Sequence, residues 1–290
     1  MIMRRALSRF AIEEEQYLRE KAMQVVDACL MKTLFRVILS MLLLSSSVSA
    51  EPCISPPGIE ALESASVVVI GEYHGTNEIP VFFFDVVCTL ANESKGTLVV
   101  GLELPEAFNP IFARIGSATP DKLIDEIRKV PFWDRYADGR PSRANLELLE
   151  NLVRLAAKRG QTKVVAYAGM ETDIVGAQIL ARAMREHSAD KMVVLAGNAH
   201  ARLLPTSGGP PTHMAAELLN RHGLDVLTLN ISAGSGEVWI CLGELPCGPR
   251  AVLVQRRAPG IHLDGCVVDC VYHGVYHLDK LSISPAVDRD

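Results

Sequence analysis

Two histidines and two carboxylates stand in short motifs that could share one reaction. Glu72 and His74 lie two apart in Gly71-Glu72-Tyr73-His74, and His200 closes Gly197-Asn198-Ala199-His200. Glu103 stands in Gly101-Leu102-Glu103-Leu104-Pro105. Residues i and i+2 of an extended stretch point the same way, so Glu72 and His74 can reach one space. Imidazole nitrogen with carboxylate oxygen suits a borderline divalent ion such as zinc, manganese or cobalt, which makes His74, Glu103 and His200 the candidate ligands. The same groups suit metal-free acid–base catalysis, with a histidine as base and a glutamate as orienter. Spacing leaves both open. In either form His74 would activate water, Glu72 or Glu103 would orient it or share the metal, and His200 would be a second ligand or the general acid.

An arginine-rich stretch adds a cation. Residues 132–146 mix aromatics with Arg135, Arg140 and Arg143 ahead of a helical pattern, which Asp138 or Ser142 could cap. Arg140 is the favoured candidate to hold an anionic substrate group or an oxyanion. His187, His213, His222 and His262 have no companion motif and read as structural or exposed. His273 and His277 lie four apart in a strand-like run that Gly274 interrupts, and are left out of the site. The chain has no Gly-x-Ser-x-Gly elbow, phosphate loop or dinucleotide glycine motif.

Each motif needs an element to aim it. The apolar runs Val67–Ile70, Leu98–Val100 and Met192–Leu195 precede the three motifs. Strands are expected at 66–70, 97–103, 163–168, 191–196, 225–230 and 251–255, and helices at 79–92, 120–129, 144–158, 174–187 and 213–222. Continuous rather than alternating apolar runs fit strands buried on both faces. The alternation predicts an α/β fold, a mostly parallel sheet with helices on both faces. Loops leaving the C-terminal strand ends then share one edge, where ligands bind. Residues 231–290 read as a β-rich C-terminal extension with hairpins at Gly243-Glu244 and Pro259-Gly260. The loop 204–212 is placed to wall or cover the site.

Composition bounds the partners. Among 290 residues, 49% are hydrophobic, 22% are charged and the formal net charge is −5, with no basic block to neutralise a run of phosphates. Nucleic acid is therefore not expected as a partner. Lys32 and Arg36, the apolar run 37–44 and the small residues up to Ala50 fit a secretory signal peptide over 31–50, too short to span a membrane. Residues 1–30, with Glu13, Glu14 and Glu15, do not resemble the basic start of such a segment and read as an upstream start-site artefact. The mature chain is then a single domain, 51–290, periplasmic or secreted. Its six cysteines suggest disulfides. Cys241 with Cys247 and Cys266 with Cys270 could pair locally, leaving Cys53 with Cys88; a zinc site from the last four has poorly matching spacing.

The motif series resembles the superfamily that joins the Tiki and TraB proteins, the erythromycin esterases and the ChaN-like haem-binding lipoproteins. Its marks are a Gly-x-x-His after a strand, a Glu at the next strand end, an Arg further on and a second Gly-x-x-His. Here these are similar to Gly71–His74, Glu103-Leu104-Pro105, Asp138-Gly139-Arg140-Pro141-Ser142 and Gly197–His200. The ending from Gly274 through Ser284-Pro285 also resembles ChaN-like C-termini, and the likeness spans 66–290. The resemblance implies an exported hydrolase of ester or amide bonds, with or without a metal, that acts on a small molecule or a peptide. Its alternative is a periplasmic haem-binding protein tied to iron uptake, with Tyr73 or His74 as axial ligand. The chain departs from ChaN lipoproteins in lacking a lipid-attachment motif.

Overall fold

The computed structural model describes residues 53–135, 137–168, 173–205, 211–242, 245–265 and 270–288. The signal-peptide segment, most of the 204–212 loop, the Gly243-Glu244 turn and Cys266 lie outside the described residues.

Five strands form the parallel frame: β1 (Val67–Glu72), β2 (Leu98–Leu102), β3 (Thr162–Ala166), β4 (Lys191–Gly197) and β5 (Val226–Ala233). The intervening helices are α1 (Glu78–Glu93), a single turn α2 (Asn109–Phe112), α3 (Pro120–Arg128), α4 (Arg143–Lys158), α5 (Asp173–Glu186) and α6 (Met214–Asn220). Four more strands follow: β6 (Glu237–Leu242), β7 (Leu245–Ala251), β8 (Gly260–Leu263) and β9 (Gly274–Leu278). The main sheet has seven strands in the order β3-β2-β4-β1-β5-β9-β8. All run parallel except β8, which lies antiparallel on β9.

The continuous apolar runs are explained by two covered faces. Val68 and Ile70 of β1, Val100 of β2 and Val193 of β4 pack with α1, α3 and α4. Val67 and Val69, Val99, and Met192 and Val194 pack with α5 and α6 on the other side. Successive strand side chains alternate between faces, so both sets must be apolar.

The C-terminal extension departs from expectation in two places. The strand expected at 251–255 ends at Ala251, and Leu253 and Val254 are exposed. The true return strand is β7, whose Pro246, Gly248 and Pro249 conceal it from strand propensity. It persists as the partner of β6 in a two-stranded sheet closed by the Cys241–Cys247 disulfide. Gly260 opens β8 instead of turning a hairpin, and the chain returns only at β9. A second disulfide joins Cys53 to Cys88 on α1. Among the described residues, no helix is long and apolar enough to cross a membrane.

Candidate functional site

The sheet register brings the three motifs together. Gly71 and Glu72 of β1 pair with Ala196 and Gly197 of β4, and Leu102 of β2 pairs with Leu195. The three chains therefore leave the sheet at one level. A tight turn follows β2, in which the Leu104 amide donates to the Leu102 carbonyl at 2.8 Å, and it throws Glu103 across the strand ends. The His200 turn is closed by its own amide, which donates to the Gly197 carbonyl at 2.9 Å. Behind β1, the Tyr276 hydroxyl of β9 donates to the Gly71 carbonyl at 2.9 Å, fixing the strand end from below.

Glu103 is the centre. Its Oε2 accepts from the Gly197 amide at 2.6 Å, and its Oε1 lies 3.2 Å from Arg140 Nη1. The same Oε1 is 3.8 Å from His74 Nε2 and 3.8 Å from His200 Nε2. Those separations are too long for hydrogen bonds and suit groups that share a third atom between them. Gly197 is the floor. A Cβ there would stand 3.2 Å from His74 Nε2 and 3.3 Å from both Glu103 Oε2 and His200 Cδ2. Only glycine leaves that space open.

Each imidazole carries its own carboxylate. His74 Nδ1 bonds Glu72 Oε1 at 2.9 Å, and Glu72 is only 4% exposed. Burial pulls the His74 imidazolium down, but Glu72, by charge and hydrogen bond, and then Glu103 outweigh it and push it up to about 9. His200 Nδ1 bonds Asp173 Oδ1, at the first residue of α5. That hydrogen bond raises His200 against burial, Glu103 adds to it, and the neighbouring His74 cation opposes it.

Asp173 is the residue that sequence reasoning missed. It opens a helix without any motif, and its other oxygen lies 3.7 Å from His213 Nδ1. His213, expected to be structural or exposed, is buried behind Asp173, and its burial holds the imidazole below its usual value.

Arg140 does not face the site as a free fork. Its Nε and Nη2 bond Asp138 Oδ2 at 2.8 and 2.6 Å, and its amide donates to Asp138 Oδ1 at 3.0 Å. Against burial, the guanidinium holds the Asp138 carboxyl below its usual range. Asp138 thus orients Arg140, while Ser142 caps α4 by accepting from the Asn145 amide at 3.3 Å. The expected anion holder is committed to Asp138 and Glu103. Arg143 points away and pairs with Asp288.

These groups line a cavity of about 570 Å³ with Tyr73, Asn198, Ala199 and, from the β6–β7 hairpin, Trp239, Ile240 and Cys241. The indole of Trp239 donates to the Ala137 carbonyl at 3.4 Å, seating the hairpin on the Arg140 turn. The last histidine pair lies elsewhere. His277 is buried on β9 against Ser232 at 2.8 Å, and His273 bonds the Thr228 amide.

Among the described residues, no group of three or more His, Cys, Asp or Glu side chains is disposed to hold an ion. Glu103 also accepts from Arg140 and Gly197, and the guanidinium beside Oε1 opposes a second cation there. The candidate haem ligands Tyr73 and His74 both line this cavity, and burial pushes the Tyr73 phenol up.

No protein-family model matches the chain, and no curated protein matches it. Solved structures do resemble it. A Bacillus cereus protein shares 12% identity, with 79% of this chain and 92% of that one covered and a TM-score of 0.51. An erythromycin esterase in its open conformation shares 11% identity over 80% of this chain and 93% of its own, with a TM-score of 0.41. ChaN of Campylobacter jejuni, described with cofacial haem binding, shares 12% over 67% and 89%, with a TM-score of 0.38. At these identities the first likeness shows a shared fold.

Proposed function

We propose that this protein is an exported hydrolase of uncharged esters, working by metal-free acid–base catalysis. One observation carries the reading: two imidazoles, each tied at Nδ1 to a carboxylate, direct Nε2 towards the same Glu103 oxygen in one cavity. Both imidazoles are raised by their carboxylates, so the roles are assigned by surroundings: His74 is 20% exposed and His200 is 42% exposed. His74, beside two carboxylates, is the imidazolium and serves as acid, or as donor to the oxygen that gains charge. His200 is raised as well, chiefly by its hydrogen bond to Asp173, with the His74 charge only partly opposing it. His200, held by Asp173 and the more open of the two rings to water, is assigned as the base that activates it from its deprotonated form. These roles reverse the expectation from sequence, in which His74 was the base. Glu103 holds the pair at their working separation, and Arg140 balances the Glu103 charge.

The substrate class follows from the walls. Arg140 has no free fork for an anion, and Trp239, Ile240 and Tyr73 offer an apolar side. An ester with an apolar ring fits better than a carboxylate or phosphate. The disulfides Cys53–Cys88 and Cys241–Cys247 support an oxidising compartment, periplasmic or extracellular, with 31–50 as the export signal and 51–290 as the mature domain. The test is hydrolysis of 1-naphthyl acetate by the purified protein beside His200→Asn. The variant is expected to lose about 10²–10⁴-fold in kcat/KM. Equal rates in both, or turnover that chelators abolish, overturn the metal-free mechanism.

A further inference from the structure

The C-terminal segment after β9 lines none of the cavity, yet it holds two of the loops that carry the site, those of His74 and Arg140. Along its first half it bonds the loop between β1 and α1. The Asn77 amide donates to the Ser282 carbonyl at 3.0 Å, and the Asn77 side-chain amide donates to Ser282 Oγ at 3.0 Å and to the Ile283 carbonyl at 3.2 Å. The Ser282 amide donates to Glu78 Oε2 at 2.8 Å. Thr76 pairs with Ile283 as an antiparallel bridge.

Along its second half the segment bonds the first turn of α4. The Arg143 amide donates to the Pro285 carbonyl at 2.9 Å, and Ser142 bridges Ala286. First-turn amides of a helix have no partner inside it. Here the chain's own C-terminal segment takes two of them, and Ser142 takes a third.

Ser284 belongs to both halves. Its amide donates to the Gly75 carbonyl at 2.8 Å, one residue after His74. Its Oγ accepts from the Ala144 amide at 3.0 Å, four residues after Arg140. It is 0% exposed. The two loops touch beside it. A Cβ on Gly139, whose φ is +85°, would stand 3.0 Å from the Gly75 nitrogen and 3.1 Å from the His74 carbonyl carbon. The Asn145 side chain donates to the Arg140 carbonyl at 2.9 Å and continues the same mesh into α4.

We propose that Ser284 is a positioning residue: by joining the Gly75 carbonyl to the Ala144 amide, it sets where His74 and Arg140 stand on either side of Glu103. His74 has 3.8 Å to Glu103 Oε1 and Arg140 has 3.2 Å, so a shift of an ångström in either loop breaks one relation or closes the other. Misplacement of that size costs about a hundredfold in rate in well-oriented sites. The inference rests on the hydrolase reading for its kinetic consequence, not for its geometry.

The experiment compares wild type, Ser284→Ala, Ser284→Thr and Asn77→Ala, each as the full chain. The readouts are 1-naphthyl acetate kinetics, thermal unfolding, amide exchange, and the ring signals of ¹⁵N-labelled histidine. Ser284→Ala is expected to lower kcat tenfold or more with KM within twofold, to speed exchange at Ala144, and to move the His74 ring signals. Ser284→Thr, which restores the hydroxyl, recovers kcat. Asn77→Ala loosens the same segment from the other side and gives a smaller loss in the same direction. Unchanged kcat and unmoved His74 signals in Ser284→Ala overturn the proposal. So does a loss of kcat that only tracks a loss of folded protein in both Ser284 variants. If wild type hydrolyses no ester, the hydrolase reading fails. The positioning role then stands or falls on the His74 signals and the Ala144 exchange.

Discussion

Replacing Glu72 by Gln tests the assignment of His74 as the acid. The substitution keeps the shape and an oxygen that accepts from His74 Nδ1, but removes the charge. In the native protein His74 is pushed up to about 9, with Glu72 the largest upward influence, and the imidazole is 20% exposed. A group whose native value lies above its unfolded value binds its proton more tightly when folded. It therefore stabilises fully below pH 6.5, and that stabilisation is lost as pH rises through about 9. The rise corresponds to about 3 kcal/mol. Urea unfolding of wild type is expected to change more between pH 6 and pH 10 than that of Glu72→Gln, with about 3 kcal/mol as the upper bound on the difference. Glu103 remains in the variant, so part of the elevation survives. Ring NMR supplies the direct reading: the His74 midpoint falls from about 9 towards the ordinary imidazole range. A wild-type His74 that titrates near its ordinary value refutes the reasoning, and the acid role with it. So does a pH dependence of stability identical in the two proteins.

Two further outcomes follow from the cavity walls. Gly197→Ala sets a methyl 3.2 Å from His74 Nε2 and 3.3 Å from Glu103 Oε2. It is expected to cut kcat/KM for 1-naphthyl acetate at least tenfold while the melting temperature stays within a few degrees, and full activity would remove the shared space from the mechanism. Trp239→Ala strips the ring from the hairpin wall and is expected to raise KM for 1-naphthyl acetate about tenfold with little change in kcat. Equal KM values would show that the ring is not part of the binding surface.

The parts of this site that the sequence made legible are those encoded within a few residues. The apolar runs before Gly71, Gly101 and Gly197 mark buried parallel strands, because only strands covered on both faces need continuous hydrophobicity. Strand ends in such a sheet share an edge, so Glu72, His74, Glu103 and His200 could be expected together before any coordinate. Arg140 was also legible, through the Asp138–Ser142 stretch, though not the direction in which its fork is spent.

What tertiary structure decided is every partnership that spans the chain. Asp173 stands 27 positions from His200 and begins an ordinary helix; nothing local distinguishes it from a solvated first-turn acid. Trp239 reaches the cavity on a hairpin whose second strand is disguised by two prolines and a glycine. Ser284 meets Ala144 across 140 residues. The proposed acid and base roles depend on the same distant contacts. The proton preference of His74 comes from how deeply Glu72 is buried and how near Glu103 comes, and both are products of sheet register. Hydrophobic periodicity is a short-range property and can be read along the chain. Electrostatic environment is a property of packing, and exists only once strands β1, β2 and β4 lie side by side.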